Sequence, residues 1–478
     1  MQNVWVLFIG FSLGLSAQGV AQDLEHRAER YEFKARSGVV VETELGTFVV
    51  PENRSRAIPG KSITLKYIRF PATTDSPGPP IVYLAGGPGG AGTDAARGSR
   101  FKMFQALREL GDVIAFDQRG TGMSDRLPAS EHRWQVPVDQ PATREVISQA
   151  VEAAIQKSAV DWRDANVDLD AYNTRENAHD LEALRLVLGA EKLRLCGISY
   201  GTHLGLAYMR FFPESVHSAV LAGMEGLDQT VKLPADQQKL LEEIDAWVKK
   251  DPHANQAFPD FLGSVERVLK RLDSEPHVIK RDDKVSHVIT KFDVQRLTAA
   301  LLRGPQNFRM LPNLFKQMDE GRFSSVVFFV SSLRRGSVGA MSSAMDAASG
   351  RTEKRAELIR QQATVTLLGD AINFPYESVR QSLNVPDLGD EFRAPLVSDI
   401  PVLAISGTAD GRTPVSNANE VLATLSNGSH LTIEGAGHSD PLFLSSPQIL
   451  QTMLKFYAGE KVGDSRIELD PIKFVLPR

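Results

Sequence analysis

A serine flanked by two glycines is the residue in this chain most suited to nucleophilic chemistry. Residues 197–201 read Gly-Ile-Ser-Tyr-Gly and lie between a short apolar run and an amphipathic helical pattern. In a sharp turn between a strand and a helix, side chains two positions on either side of the serine would collide, so glycine is needed there. The turn lifts the hydroxyl off the sheet and points the first helical N–H groups at the reacting atom. The pattern predicts that Ser199 is a nucleophile.

A serine hydroxyl is a weak nucleophile at neutral pH, so it needs a base and a third group that orients the base. Asp410 and His438 each follow a short apolar run in the last quarter of the chain. The order Ser, Asp, His, with both partners on loops after strands, is typical of one class of serine hydrolase. Asp440 is an alternative acid, but two residues from His438 it would have to fold back to reach the imidazole. We therefore predict a triad of Ser199, His438 and Asp410.

A glycine-rich loop, Ala-Gly-Gly-Pro-Gly-Gly at residues 85–90, offers backbone donors near the nucleophile. Such a loop leaves its N–H groups unshielded, so it could hold a phosphate or an oxyanion. The chain has no Gly-Lys-Ser/Thr, and no G-x-G-x-x-G in the right setting, which makes phosphate binding a weak hypothesis. We expect the backbone N–H groups of Gly87 and Tyr200 to form an oxyanion hole.

Short apolar runs alternate with helical patterns on both sides of the serine. An N-terminal hairpin is predicted over 46–50 and 62–70, and further strands over 81–84, 113–116, 193–196, 218–221, 402–405 and 431–433. Short apolar strands separated by helices are typical of a parallel sheet covered on both faces. Between about 227 and 395 the apolar spacing is helical throughout. The sequence predicts an α/β-hydrolase fold, with a mostly parallel central sheet, helices on both faces and an inserted helical cap.

Four segments follow from this pattern: a signal peptide (1–21), the first part of the α/β-hydrolase core (22–226), the helical cap (227–395) and the second part of the core (396–478). The apolar run 4–15 is too short to span a bilayer and suits a secretory signal cleaved after Ala21. Residues 1–3 carry no Lys or Arg, so an anchor or a buried helix is the alternative. We expect a periplasmic or secreted protein with no membrane span in the mature chain.

Composition argues against several classes of protein. The formal charge of −5 over 478 residues, without long runs of one sign, gives no electrostatic footprint for nucleic acid. No ligand cluster for a metal appears, and no cofactor motif is present, so neither a metal nor a cofactor is expected. The single cysteine, Cys196, is expected to pack as a small buried hydrophobe. Nothing in the sequence indicates an oligomeric state.

Two further stretches carry structural expectations. Asp117 and Arg119, in the Asp-Gln-Arg-Gly-Thr-Gly turn, are interpreted as a charged pair that holds the turn rather than as catalytic groups. The small residues of 336–350 predict a flexible connection within the cap.

Five motifs together resemble the α/β-hydrolase peptidases of the prolyl iminopeptidase and tripeptidyl aminopeptidase group. They are LAGGPGGAG, DVIAFDQRGTGMSD, GISYGT, the turn at Asp410, and GAGH. The segment ETELGTFVVPENR is similar to the opening of the tripeptidyl aminopeptidase branch. Prolyl iminopeptidases usually have His where this chain has Ala85, which also favours the tripeptidyl aminopeptidase branch.

The resemblance implies hydrolysis of a peptide bond near a free N-terminus, through an acyl-enzyme and with a peptide as the binding partner. In this family, acidic residues on or beside the cap bind the substrate's α-ammonium, and Glu225, Asp228 and Asp370 are candidates by position. The main alternative is a carboxylesterase-like hydrolase of small esters, since the fold and triad do not select the acyl group. A non-catalytic binding protein would lack a triad member, and epoxide hydrolases have Asp where this chain has Ser199.

Overall fold

A computed structural model describes residues 25–56, 60–282 and 284–477. The predicted signal peptide, 1–21, lies outside the described residues. A ten-stranded sheet runs through the described part of the chain in the order β1-β2-β3-β5-β4-β7-β8-β12-β13-β14. Its strands are β1 (His26–Lys34), β2 (Val40–Pro51), β3 (Ser62–Phe70), β4 (Gly78–Leu84), β5 (Gly111–Asp117), β7 (Leu193–Ile198), β8 (Val216–Ala222), β12 (Val402–Gly407), β13 (Gly428–Glu434) and β14 (Ser465–Glu468). Strands β6 (Arg133–Gln135), β9 (His277–Arg281), β10 (Lys284–Ile289) and β11 (Arg335–Ser337) lie outside this sheet.

The sheet is antiparallel at one end and parallel over the rest. Strands β1, β2 and β3 pair antiparallel, and β3 joins β5 in the same way. From β5 onward every neighbouring pair is parallel. The carboxyl ends of β4, β7, β8, β12 and β13 therefore meet at one edge, which is where ligands bind in open α/β sheets. The expected mostly parallel sheet is confirmed.

Both faces of the sheet are buried. In β4, Ile81 and Tyr83 pack into one apolar core, whereas Val82 and Leu84 pack into the other. Side chains alternate between the two faces of a strand, so a strand that is buried on both faces reads as a continuous apolar run. This explains why the central strands could be found in the sequence.

Nineteen α-helices flank and cap the sheet within the described residues. They are α1 (Gly92–Arg97), α2 (Phe101–Leu107), α3 (Arg144–Asp164), α4 (Thr174–Val187), α5 (Tyr200–Phe211), α6 (Pro234–Lys250), α7 (Pro252–Ala257), α8 (Phe261–Ser274), α9 (Lys291–Leu301), α10 (Pro305–Phe308), α11 (Leu311–Asp319), α12 (Val327–Leu333), α13 (Ala340–Ser349), α14 (Glu353–Val365), α15 (Tyr376–Leu383), α16 (Gly389–Arg393), α17 (Val415–Leu422), α18 (Pro441–Leu444) and α19 (Pro447–Tyr457). None of the helices in the described ranges is long and apolar enough to cross a membrane.

Residues 227–395 contain more than the helices that the sequence predicts. Strands β9 and β10 form an antiparallel hairpin there, and β11 pairs with β6 of the preceding core segment. The stretch 336–350 is not a flexible connection, because β11 and helix α13 occupy it. The small residues of α13 are buried, among them Ala344, Ala347 and Ala348. Small side chains let this helix pack closely against its neighbours. The same small residues are common in flexible connections, so the sequence pattern did not indicate a packed helix.

Candidate active site

Ser199 sits at the turn between β7 and α5 with a backbone conformation that non-glycine residues rarely adopt. Its φ is 54° and its ψ is −125°. A Cβ on Gly201 would lie 2.0 Å from the Leu84 carbonyl oxygen, and one on Gly197 would lie 2.7 Å from the Gly201 carbonyl oxygen. Only glycine fits at both positions, so the neighbouring strand enforces the tight turn. The Ser199 N–H donates to the Ala222 carbonyl at 3.0 Å, which ties the turn to β8.

The glycine-rich loop lies directly against this turn. Gly87 has a φ of +129°, and the Gly90 N–H donates to the Gly86 carbonyl at 2.9 Å. Tyr200 is the first residue of α5, where a backbone N–H has no intrahelical acceptor. Among the described residues, the N–H groups of Gly87 and Tyr200 donate to no protein acceptor. Both groups are thus available for the role that the sequence assigns to them, which is to bind an oxyanion.

His438 and Asp410 meet on the loops after β13 and β12. The imidazole Nδ1 lies 2.8 Å from Asp410 Oδ2, and Asp410 is buried. Asp410 also accepts hydrogen bonds from the Thr413 N–H at 2.9 Å, the Thr413 hydroxyl at 2.7 Å and the Arg412 N–H at 2.8 Å. Burial disfavours the charged carboxylate, but the charge of His438 and these hydrogen bonds hold the pKa of Asp410 below its usual value. Asp410 is therefore ionised and can orient the imidazole.

The competing acid, Asp440, points elsewhere. Its Oδ1 accepts from Arg100 Nε at 2.9 Å, and it also accepts from the hydroxyl of Ser99. Arg100 in turn donates to the Ser439 hydroxyl at 2.9 Å. The structure therefore brings Asp410, rather than Asp440, to His438.

Ser199 and His438 line one cavity of about 860 Å³, together with Gly86, Gly87 and Gly89 of the glycine-rich loop. This volume lies within the range of small-molecule and peptide sites. The backbone of His438 is fixed, because its N–H donates to the Arg303 carbonyl at 2.9 Å. The candidate nucleophile, the candidate base and Gly87 thus open onto a common space. The arrangement is chemically suited to acyl transfer.

Gln118 joins the two segments that carry the oxyanion donors, a role the sequence does not reveal. Its Nε2 donates to the Ala85 carbonyl at 3.0 Å, just before the glycine-rich loop. Its Oε1 accepts from Asn177 Nδ2 at 3.0 Å, and the same amide lies 3.3 Å from the hydroxyl of Tyr200. All of these groups are buried. A continuous set of hydrogen bonds therefore links the loop at Gly87 to the residue after the nucleophile.

The expected pair of Asp117 and Arg119 is wrong. Asp117 accepts hydrogen bonds from the N–H of Thr93 at 2.9 Å, from its hydroxyl at 2.7 Å, and from the Met123 N–H at 2.8 Å. Arg119 instead forms a buried ion pair with Asp180 at 2.7 Å. Asp117 is the last residue of β5, whereas Arg119 lies in the turn beyond it, and each has its own partner. Both residues are structural, as the sequence indicated, but through separate contacts.

The three acids predicted by position are all engaged by protein groups. Glu225 is buried and forms an ion pair with Lys232 at 2.6 Å. Asp228 accepts from both the N–H and the hydroxyl of Thr352, each at 2.7 Å, at the start of α14. Asp370 accepts from Asn373 Nδ2 at 2.5 Å. Asp228 and Asp370 therefore have local structural partners, whereas Glu225 belongs to a larger buried charge cluster.

Asp346 of α13 is the acid that the sequence did not reveal. Burial and the nearby charge of Glu225 raise its pKa to about 8, although the charges of Lys232 and Arg412 oppose the shift. The Sδ of neighbouring Met345 accepts a hydrogen bond from the Tyr200 hydroxyl, so α13 lies beside the turn at Ser199. No local signal marks Asp346, because it lies in a run of Ala, Ser and Met.

Two other expectations concern Cys196 and metals. Cys196 is fully buried, and burial raises the pKa of its thiol to about 12, so it is unreactive at neutral pH. In the described ranges, no group of three or more His, Cys, Asp or Glu side chains could hold a metal ion.

Comparison with known proteins agrees with this architecture. A family model described as alpha/beta hydrolase fold matches residues 79–270, and one described as TAP-like protein matches residues 375–457. The chain has the α/β-hydrolase fold, which defines its class. Within that class it resembles the peptidases of the prolyl iminopeptidase and tripeptidyl aminopeptidase group, as the sequence motifs predict.

Three curated relatives illustrate the similarity. Serine protease Hip1 of Mycobacterium tuberculosis is 34% identical over 185 residues, covering 37% of this chain and 35% of Hip1. Tripeptidyl aminopeptidase of Streptomyces coelicolor is 29% identical over 160 residues, covering 30% of this chain and 27% of that protein. Proline iminopeptidase of Xylella fastidiosa is 29% identical over 147 residues, covering 31% and 33%. The chain thus aligns with about a third of the length of these relatives.

Replacing His438 with Ala should abolish covalent labelling of Ser199 by a fluorophosphonate, because the serine would lose its base. The labelled fraction can be measured by intact-protein mass spectrometry. His430→Ala is the matched control, since this buried histidine of β13 bonds the Ser406 hydroxyl at 3.0 Å, away from Ser199. Strong labelling of the His438→Ala protein would show that another base acts.

Asp410→Asn should slow labelling by on the order of 10⁴, because the amide no longer fixes the tautomer of His438. Asp440→Asn should leave the labelling rate within a few-fold of the parent protein, because Asp440 contacts Arg100 instead. The two rates are compared by stopped reactions with the same fluorophosphonate. The opposite order of effects would identify Asp440 as the catalytic acid.

Gln118→Met should slow labelling by about tenfold to a hundredfold. This loss does not exceed the loss of rate expected when one oxyanion donor is removed completely. The substitution keeps the side-chain volume but frees the Ala85 carbonyl and Asn177. Gln237→Met is the control, since its buried amide bonds the Ala299 carbonyl at 3.3 Å in the cap. Both variants are expected to lose thermal stability, but only Gln118→Met should lose labelling rate. Equal labelling rates would show that Gln118 only supports folding.

Proposed function

We propose that this protein is a serine peptidase that cleaves peptide bonds near a free N-terminus. The observation that carries the proposal is the hydrogen bond between His438 and Asp410, with His438 lining the same cavity as the strained Ser199. Similarity to proteins named as a serine protease and as tripeptidyl aminopeptidase supports a peptide as the substrate.

The mechanism follows from the placement of these groups. The Ser199 hydroxyl attacks the carbonyl carbon of the scissile bond while His438 takes its proton, and Asp410 stabilises the imidazolium that forms. The oxyanion is bound by the backbone N–H groups of Gly87 and Tyr200. His438 then donates its proton to the departing amine, which leaves an acyl-enzyme on Ser199. Water, activated by the same histidine, releases the acyl fragment.

Recognition of an N-terminal ammonium is supported by the carboxylates near Tyr200. Lys232 already balances the charge of Glu225, so one further cation can be held only if a second carboxylate is present. Asp346 supplies that carboxylate, and burial together with the nearby charge of Glu225 raises its pKa to about 8. An ammonium group bound beside Asp346 would favour the ionised carboxylate. We propose Glu225 and Asp346 as the acids that bind the substrate amine.

The wall of the cavity is more suited to a charged substrate than to a small apolar ester. Its lining includes arginine and aspartate side chains next to the glycine-rich loop, whereas an esterase pocket is expected to be mainly apolar. Carboxylesterase activity with the same triad is therefore the alternative outcome of the test below.

Purified protein should hydrolyse tripeptidyl and aminoacyl p-nitroanilides, and Ser199→Ala should remove that activity because the nucleophile is lost. Release of p-nitroaniline is followed by absorbance, with short-chain p-nitrophenyl esters assayed in parallel. Ester turnover without amide turnover would overturn the peptidase proposal and favour the carboxylesterase.

The kcat/KM for substrates with a free α-amine should rise as the pH approaches about 8, because Asp346 loses its proton in that range and its carboxylate can then bind the ammonium. Asp346→Asn should remove this rise and increase KM about tenfold, as expected for the loss of a hydrogen bond to a charged group. Labelling by a fluorophosphonate without an amine is the control and should be unchanged in this variant. An unchanged KM would exclude Asp346 from amine binding.

A further inference from the structure

The cavity at Ser199 has a positively charged wall, although the whole chain has a formal charge of −5. Among the residues that line this cavity, five are arginines and two are aspartates: Arg36, Arg100, Arg126, Arg303, Arg412, Asp94 and Asp440. Arg100 and Asp440 neutralise each other at 2.9 Å. This leaves four arginines against Asp94. A cleft lined by one sign of charge raises the local concentration of ligands of the opposite sign.

The backbones of Arg303 and Arg412 contact the pair of His438 and Asp410 directly. The Arg303 carbonyl accepts the His438 N–H at 2.9 Å, and the Arg412 N–H donates to Asp410 at 2.8 Å. The Gly411 N–H donates to the Leu302 carbonyl at 3.0 Å, so the two arginine segments run side by side. These hydrogen bonds therefore fix the positions of both arginine backbones relative to His438.

In the described part of the chain, no protein group pairs with the guanidinium groups of these two residues. Within the ranges that the structure describes, neither makes a side-chain hydrogen bond or an ion pair, whereas the guanidinium of Arg126 bonds the Gly122 carbonyl at 2.6 Å. Arg303 is exposed and Arg412 is half-buried. The charge of Arg412 also acts on Asp346 and Lys232, without direct contact. Two planar groups with free donors thus face the cavity, and such groups are suited to bidentate binding of a carboxylate.

In the proposed reaction, His438 donates its proton to the departing amine, so the part of the substrate after the scissile bond lies on the histidine side. Arg303 and Arg412 are on that side. We propose that they bind a carboxylate in the leaving part of the substrate, one or two residues after the cleaved bond. The inference rests on the proposed peptidase function and extends it to a substrate class, which is peptides that carry a negative charge just beyond the cleaved bond.

A carboxylate at this position has two sources. It is the α-carboxylate of a peptide that ends there, or the side chain of Asp or Glu in a longer peptide. Both present the same two oxygens to a guanidinium, so matched substrates separate them. The first pair is a tetrapeptide ending in Ala as the free acid and as the C-terminal amide. The second pair is a longer amidated peptide with Asp or with Asn after the scissile bond.

Cleavage of these peptides is measured by mass spectrometry, and kcat/KM is compared within each pair. We expect the charged member of at least one pair to be cleaved about tenfold more efficiently, as expected for a hydrogen-bonded ion pair. The ratio should fall toward one in Arg303→Gln, and further in the double variant with Arg412→Gln. Added salt should lower the same ratio, because the arginines are partly exposed.

Arg281→Gln is the control variant, since Arg281 is an exposed arginine of the β9 hairpin that does not line the cavity, and it should keep the parent ratio. Equal efficiencies within both pairs, or a ratio insensitive to both substitutions, would overturn the carboxylate site while the peptidase proposal stands. Hydrolysis of esters without cleavage of any peptide would overturn the peptidase proposal, and the carboxylate site with it. A preference only in the first pair would identify the C-terminal carboxylate, and one only in the second would identify an acidic side chain.

Discussion

The close approach of the nucleophile turn to strand β4 is the constraint on which the rest of the site depends. Ser199 keeps a positive φ because Gly201 packs its backbone against the Leu84 carbonyl with no room for a side chain. Holding a non-glycine residue in such a conformation costs about 1–3 kcal/mol, so it persists only where the surroundings over-determine it. Here the sheet supplies that rigidity, since β7 lies between two parallel neighbours in the interior of the fold.

Buried polar contacts extend this rigidity from the turn to the loops around it. Asp117 holds the start of α1 and the turn at Met123, while Gln118 and Asn177 connect the glycine-rich loop to Tyr200. The side chains of Asp117, Gln118 and Asn177 are buried, and breaking such a network leaves unpaired donors or acceptors that cost about 1–3 kcal/mol each. The Asp-Gln-Arg-Gly motif thus serves the candidate site indirectly, by fixing the backbone that carries the proposed oxyanion donors.

Much of the fold was accessible from the sequence because the central strands are buried on both faces and read as apolar runs. The elements that were missed lack that signal. Strand β1 is exposed and charged along most of its length, and within the described part of the chain it pairs only with β2. The hairpin of β9 and β10 is also largely exposed, so no apolar run separates it from the helices around it. Helix α13 has a composition typical of a linker, and only its burial against the core makes it a helix of the site.

The sequence by itself predicted the tight turn at Ser199, the need for its glycine neighbours and the order of the candidate triad. Those features depend on local backbone sterics and on strands that can be recognised as apolar runs. Only the tertiary structure decided which acid meets His438, that Glu225 is paired with Lys232, and that Asp346 joins the same charge cluster. The physical reason is the same in each case. A contact between side chains far apart in the chain is set by how helices and loops pack, and spacing along the sequence carries no record of that packing.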